Sequence, residues 1–522
     1  MQDARRALTG FVSERFAQRL YALLVFAALP LAALTLTNKA DPDLWMHLRA
    51  GRQIVQTHDV PRADSYSFVA QGRSWVSHEW LFQLLAFLIF SGLGSAGLMA
   101  AKGLLGAATM ACLYGAAAAR AESLAVRAFV FLISSLFVVC LGFTARPHIF
   151  TLFFTSLIVL ILTRYRKSLD IAPWMLLPWS WLHGGFVAGI AFFVVIVVGE
   201  ALSGRRTFRL LAHLVLATLA TMINPYGLAL WSRIAETLTT PGLGRAVVEW
   251  QPVWASGVTL YRGGIVLFGV LLGGVFAADK ERRKDATAWM LAGAGLAASI
   301  LSVRHLLLLA ILAVPALAGG LERLRARTAT ESDSPRPGVL VLFNLSILAL
   351  LAGLAAWVFY EVPVRQKVPL GRLVYGESEP GWVTYPKGAV SFLKEHGAKG
   401  RLWSDVNVGG YLVWHLSASL QVFMDPRYEH VYTPAEVADY GVASAAAPGW
   451  EKILDKYAPD LLLLPAASPL AKAAEGPLWR AVYRDPDYVL LAGSSPAYAG
   501  LVKDFARDPQ VSERPSLPWL FP

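Results

Sequence analysis

Two carboxylates stand two residues apart at Asp41 and Asp43, directly after an apolar stretch from Tyr21 to Thr37. Paired acids at a membrane edge can take a proton from an acceptor hydroxyl or amide, or hold a divalent cation such as Mg or Mn against a phosphate. Asp is also a good helix N-cap, so Asp41 reads equally as the cap of a helix beginning near Asp43. Basic groups recur inside apolar surroundings: Arg146 and His148, His183 before Gly184-Gly185, and Arg304-His305. Ionisable residues are expensive at such places and are candidate ligands of a phosphate. Arginine offers a two-pronged donor and histidine shares a proton or a metal, while snorkelling and helix capping are the ordinary alternatives. Lys102 reads as a snorkelling residue of a span. Glu249, in Val248-Glu249-Trp250-Gln251-Pro252, is a candidate second metal ligand beside Asp41 and Asp43, or an acceptor contact.

The elements that position these groups follow from composition. The 522 residues are 56% hydrophobic and 16% charged, too apolar for a soluble globular chain. The formal charge of +11 comes from Lys and Arg in short gaps between apolar runs, which is a topology signal and not a nucleic-acid stripe. The two cysteines, Cys112 and Cys140, lie in apolar runs and read as small buried hydrophobes. The basic N-terminus before Tyr21 imitates a signal peptide, but no small-residue cleavage site follows, so it reads as the first span.

Runs long enough to cross a bilayer fall near 20–37, 96–118, 125–143, 149–163, 171–184, 185–203, 208–224, 261–278, 286–303, 305–320 and 338–359, about eleven in all. The short run 79–93 reads as an interfacial helix. With it on the surface, the basic gaps at Arg120 and Arg127, Arg164 to Lys167, Arg205 to Arg209, Lys280 to Lys284 and Arg323 to Arg336 share the cytoplasmic side with the N-terminus. The outside then receives a long first loop, 38–95, short turns carrying the candidate cations, a loop at Asn224 to Leu260, and everything after about residue 360. The predicted fold is a polytopic α-helical membrane domain, 1–359, followed by a soluble mixed α/β domain, 360–522, with strands at Leu420 to Met424, Asp460 to Leu464 and Tyr488 to Leu491 and helices at Pro434 to Ala447 and Trp450 to Tyr457. Trp45, Trp75, Trp80, Trp250 and Trp254 fit an interfacial aromatic belt, with sugar stacking open to Trp45 and Trp80. Gly51, Gly184 and Gly185 predict close backbone approaches.

The first loop reads Asp41-Pro42-Asp43-Leu44-Trp45-Met46-His47-Leu48, then Pro61-Arg62-Ala63-Asp64-Ser65-Tyr66-Ser67, then His78-Glu79-Trp80-Leu81. This succession resembles the first outer loop of a bacterial family in the GT-C superfamily of integral membrane glycosyltransferases. Arg401-Leu402-Trp403-Ser404-Asp405 with Gly409-Gly410-Tyr411, followed by Met424-Asp425-Pro426-Arg427, is similar to the soluble domain of the same proteins. It is also similar to a diverged Trp-Trp-Asp-Tyr-Gly segment of oligosaccharyltransferase catalytic subunits. Ser404 replaces the second tryptophan and Val406 to Val408 separate Asp405 from Gly409, so no asparagine glycosylation is inferred.

The resemblance implies an inverting transfer from a polyprenyl-phosphate or polyprenyl-diphosphate sugar on the outer face of the bacterial inner membrane, among membrane lipids, with Asp41 or Asp43 as base. Arg146, His148, His183, Arg304 and His305 become candidate contacts of the donor phosphate. Trp45, His47, Glu79, Trp80, Glu249, Trp403, Asp405, Asp425 and Arg427 become candidate acceptor or sugar contacts. An outer-face enzyme has no nucleotide-sugar supply and the chain has no glycine-rich nucleotide loop, which points to a membrane-anchored donor independently. Two other classes stay open: an oligosaccharide polymerase or ligase, and a non-enzymatic transporter or membrane anchor. The paired broken helices and matching halves of many transporters are not visible in the sequence.

Overall fold

The computed structural model describes residues 41–142, 144–239, 250–257, 259–328, 385–428, 431–505 and 510–511. These fall into two compact units. One holds the described part of Leu98–Gly376; the other joins Lys39–Gly97 to Glu377–Pro522. The first loop, which composition places beside the spans, is thus built into the C-terminal unit. The predicted spans 20–37 and 338–359 lie outside the described residues.

Helix α1 (Pro42–Thr57) and the first part of α2 (Trp80–Arg120) belong to the C-terminal unit. Within α2 the helix breaks at Gly94, whose φ of 61° and ψ of −158° suit glycine alone. The break separates the predicted interfacial stretch from the predicted second span. The helical unit continues with α3 (Leu124–Gly142), α4 (His148–Arg164), α5 (Leu176–Leu182), α6 (Phe186–Leu202), α7 (Phe208–Ala220), α8 (Leu228–Thr239), α9 (Thr259–Ala278), α10 (Ala286–Leu301), α11 (Leu306–Leu312) and α12 (Val314–Thr328).

Among the described residues two helices, Trp80–Arg120 and Thr259–Ala278, are long and apolar enough to cross a membrane; the pair Val303–Leu312 and Val314–Arg327, bent by 48°, is a third candidate. Four shorter apolar helices accompany them. The run 171–184 is not one continuous helix: a 3-10 turn, Ala172–Met175, precedes the seven residues of α5. Pro173 and Pro178 each remove a backbone donor and disfavour a helical residue before them, which shortens the element. Pro315 has the same effect between α11 and α12. Apolar side chains such as Val194, Val198, Leu211, Val215, Val266 and Val270 are exposed, as the exterior of a membrane protein requires. Small residues let the helices approach: a Cβ on Gly199 of α6 would lie 2.7 Å from Thr287 Cα of α10.

The C-terminal unit contains α13 (Lys387–Glu395), β1 (Gly400–Ser404), α14 (Val406–Leu416), β2 (Leu420–Val422), α15 (Pro434–Ser444), α16 (Trp450–Tyr457), β3 (Leu461–Pro465), α17 (Pro469–Ala474), β4 (Trp479–Arg484), β5 (Tyr488–Gly493), α18 (Ala499–Phe505) and β6 (Gln510–Val511). The sheet order is β2-β1-β3-β5-β4-β6. Strands β2, β1 and β3 run parallel, while β5 is antiparallel to both β3 and β4. Four consecutive buried leucines, Leu461 to Leu464, show that β3 is covered on both faces. Strand β1 and helix α14 occupy the stretch that the sequence presents only as a motif.

The first loop closes the exposed edge of this sheet. Ser67 pairs with Val422 of β2 in parallel, with Phe68 N–H donating to Val422 O at 3.1 Å and Val422 N–H to Tyr66 O at 3.1 Å. The glycine pair serves packing: a Cβ on Gly409 would come within 2.4 Å of Met424 O, and one on Gly410 within 2.7 Å of Pro42 O. Gly51 is tighter still, with Gln83 O 2.1 Å from its virtual Cβ.

Candidate functional site

The sequence-predicted residues gather in two places, one in each unit. In the C-terminal unit Asp41 caps α1, its Oδ1 accepting the Asp43 N–H at 3.1 Å, and Pro42 supplies the preset φ of the first helical position. Capping therefore occupies one oxygen of the candidate base and fixes its side chain. Further along α1, His47 is buried with its Nδ1 3.8 Å from Glu79 Oε2, while His78 Nε2 lies 3.5 Å from Glu79 Oε1. The ring of Phe82 meets His47 edge-on at 5.1 Å. Burial pushes the His47 imidazole below its ordinary value; the charges of Glu79 and Asp41 act in the opposite sense, and His78 adds to the depression. Asp41, His47, His78 and Glu79 thus form one acid and imidazole cluster. His78 is the member that sequence reasoning passed over.

In the helical unit the helices α4, α6 and α10 have chemically different ends. At one end the basic gaps meet carboxylates: Arg205 binds Glu200 at 2.8 Å, Arg323 binds Asp279 at 2.7 Å, and Arg166 and Arg120 pair with Glu200 and Asp285. At the other end, about 25 Å away along the 17 residues of α4, lie His148, His183 and Arg304. Arg146, His183 and Arg304 all lie close enough to His148 to interact with it electrostatically. His148 Nε2 meets Gly142 O at 2.7 Å, closing the turn between α3 and α4. The guanidinium of Arg304 sits over Trp250 at 4.3 Å, and His305 Nδ1 lies 3.1 Å from Ala298 O.

The His183 ring is held by two groups, one of them fixed in turn by Trp179. Its Nδ1 lies 2.7 Å from Thr151 Oγ1 and accepts the Gly185 N–H at 3.1 Å, and Trp179 Nε1–H donates to the same Thr151 oxygen at 3.0 Å. Neither Thr151 nor Trp179 stood out in the sequence. The usable signal was a hydroxyl three residues after His148, on the same helix face.

No family model matches the sequence, and no curated protein does. Among solved structures the chain is similar to the apo oligosaccharyltransferase of Archaeoglobus fulgidus, with a TM-score of 0.53 and 12% identity, over 91% of this chain and 75% of that one. The fold is of the GT-C type.

Within this GT-C fold the remaining predicted residues are placed as follows. Trp45 is buried, edge-on to Tyr385 at 5.5 Å and to Tyr411 at 4.9 Å, an anchor between α1 and α14. Trp80 opens α2, and Glu79 precedes it. Trp403 is fully buried, stacked on Phe423 at 3.9 Å. Asp405 caps α14 by accepting the Asn407 N–H at 2.7 Å. Asp425 and Arg427 are buried and face each other, with Arg427 Nε 2.8 Å from Asp425 Oδ1 and the same guanidinium 2.5 Å from Asp64 Oδ1 in the first loop. Tyr432 O–H donates to Asp425 Oδ2 at 2.8 Å, and the carboxylates hold the Arg427 guanidinium firmly charged. This brace joins the loop to the sheet.

Glu249 lies outside the described residues. Among the described residues no three His, Cys, Asp or Glu side chains are grouped to hold a metal, so Asp41 and Asp43 as placed do not by themselves fit a Mg or Mn site.

Proposed function

We propose that this chain is an integral membrane glycosyltransferase that moves a sugar from a polyprenyl-phosphate or polyprenyl-diphosphate carrier to a lipid, glycan or protein acceptor on the outer face of the bacterial inner membrane. The proposed topology is about eleven spans with a cytoplasmic N-terminus and a periplasmic C-terminal domain. The observation that carries the reading is the gathering of Arg146, His148, His183 and Arg304 at one end of apolar helices in a GT-C-type fold. Basic side chains at the ends of apolar helices are expensive enough to be functional candidates, and a lipid-borne phosphate is an anion delivered at that depth.

In the proposed reaction Asp41 or Asp43 takes the proton of an acceptor hydroxyl or amide while that oxygen or nitrogen attacks the anomeric carbon. The anomeric C–O bond to phosphate breaks, its electron pair stays on the carrier phosphate, and the configuration inverts. Arg146 and Arg304 stabilise the negative charge that grows on the leaving phosphate. No step passes through a metal.

The test is incubation of the purified full-length chain with polyprenyl-phosphate and polyprenyl-diphosphate sugars and a membrane extract as acceptor source, followed by mass spectrometry. Release of the free carrier together with a product heavier by one sugar supports the reading. A product heavier by a glycan block moves the chain to the polymerase or ligase class. Intact donor under every condition, with Asp41→Asn and Asp43→Asn indistinguishable from wild type, removes the proposal.

A further inference from the structure

The hydrogen bonds around His183 have a direction. Gly185 N–H points at Nδ1, so Nδ1 is an acceptor and the ring proton is on Nε2. Thr151 Oγ1 accepts from Trp179 Nε1–H at 3.0 Å, which leaves its own proton to donate to Nδ1 across 2.7 Å. The donations run one way, from indole to hydroxyl to imidazole, and the single Nδ1 lone pair is shared between the Thr151 O–H and the Gly185 N–H. Packing fixes the relay: Trp179 is fully buried and stacked on Phe154 at 5.1 Å, and Thr151 is 6% exposed. A Cβ on Gly185 would fall 2.1 Å from Thr151 Oγ1 and 2.8 Å from His183 Nδ1, so the turn admits only glycine in this geometry.

We propose that Thr151 is a positioning residue for His183: with Gly185 N–H it holds the ring as the Nε2–H tautomer, so that His183 meets an anionic phosphate oxygen of a polyprenyl carrier as a neutral donor. The proposal rests on the donor class proposed above. It gives His183 a role distinct from that of its neighbours Arg146 and Arg304. The arginines supply charge, whereas His183 supplies one directed hydrogen bond whose orientation is set by α4 and α5. A neutral donor adds direction without adding a further positive charge to the cluster.

The experiment measures binding of undecaprenyl phosphate to the purified full-length chain in detergent, for wild type, Thr151→Val, Thr151→Ser, His183→Ala and the double variant Thr151→Val with His183→Ala. Thr151→Val is expected to weaken binding about tenfold, the value of one directed hydrogen bond, and Thr151→Ser, which keeps the hydroxyl, by less than about twofold. The double variant is expected to bind no worse than His183→Ala, because Thr151 acts through the ring. Nitrogen-15 spectra of histidine-labelled wild type, with His183 assigned by its loss in His183→Ala, are expected to show protonated Nε2; this readout stands even where Thr151→Val fails to fold. Protonated Nδ1, wild-type affinity in Thr151→Val, or additive losses in the double variant each overturn the inference. If Arg304→Gln loses binding while Thr151→Val does not, the donor reading stands and the positioning role falls. If wild type itself binds no polyprenyl phosphate, both fall together.

Discussion

Replacing Arg427 by methionine removes the cation between two buried carboxylates. In the wild-type chain the guanidinium reaches Asp425 at 2.8 and 2.6 Å and Asp64 at 2.5 Å, and lies 4.5 Å from the ring of Trp75. Asp64 and Asp425 are 2% and 0% exposed, so neither charge can turn to water in place of the lost partner. Removing one partner of a buried ion pair costs about 3–5 kcal/mol, and stranding two acids places this change toward the upper end. Some cushioning remains: Asp64 still accepts the Ser67 N–H at 3.1 Å and Asp425 the Tyr432 O–H at 2.8 Å. At roughly 2–4 °C per kcal/mol for a domain of this size, the melting transition of the C-terminal unit should fall by about 10 °C. The assay is temperature-ramped proteolysis of the full-length protein in detergent, scored at the first loop, which loses its brace first. Adding Asp64→Asn and Asp425→Asn to Arg427→Met should recover more than half of the loss, because the stranded charges go with the cation. A loss below about 1 kcal/mol in Arg427→Met, the range of an ordinary surface change, would refute the brace.

Other consequences follow from the same geometry. Asp41→Asn keeps a capping oxygen and removes a proton acceptor, so if Asp41 is the base, transfer falls by about 10²–10⁴ with the melt unchanged, while Asp41→Ala also destabilises α1 by about 1 kcal/mol; equal transfer by Asp41→Asn and wild type leaves the role to Asp43. Arg304→Gln should raise the KM for a polyprenyl-linked donor with little change in melting, whereas Arg323→Gln, which strands Asp279, should lower the melting temperature and leave KM alone; the reverse pattern would contradict the division of the helix ends. Burial, together with the charges of Lys394, Arg52 and Lys387, pushes His415 down to about 4, so the folded chain keeps it neutral while the unfolded chain takes a proton near the ordinary value of 6.5. Stability should therefore be insensitive to this group above pH 6.5 and fall as pH drops from there toward 4, by at most about 1.4 kcal/mol per pH unit. The melt of His415→Phe should be less acid-sensitive than that of wild type, and equal pH slopes would sink the assignment.

Periodic features were legible in the sequence. The leucine run of β3, the short strand β2, the strand β5 and the helices α15 and α16 all stand where alternation and end signals put them, because each is specified by its own residues. What the sequence hid depends on partners far away. Asp64 looks like an acid in a turn, and only the fold shows that it binds a guanidinium 363 residues later. His183 looks like a lone imidazole, and Thr151, which orients it, comes 32 residues earlier within an apolar run. Trp45 and Trp403 carry the same side chain as a sugar platform would, but packing against Tyr411 and Phe423 buries them. Asp41 and Asp405 show the remaining ambiguity: an Asp before a helix caps it whatever else it does, so capping in the structure neither supports nor removes a chemical role.

Arginines stand at both ends of the same helices of the helical unit, in a similar hydrophobic setting. At the end built from the basic gaps, Arg205, Arg323, Arg120 and Arg166 are each matched to a carboxylate of the chain. Such pairing is what a fold does with charges that serve only topology and packing. At the other end Arg146 and Arg304 act on the same buried histidine, and Arg304 rests on the face of an indole. A guanidinium stacked on an indole is held in place by the ring face and stays charged. If the chain takes a lipid-borne phosphate, as proposed, this is the end of the helical unit at which Arg146 and Arg304 meet it.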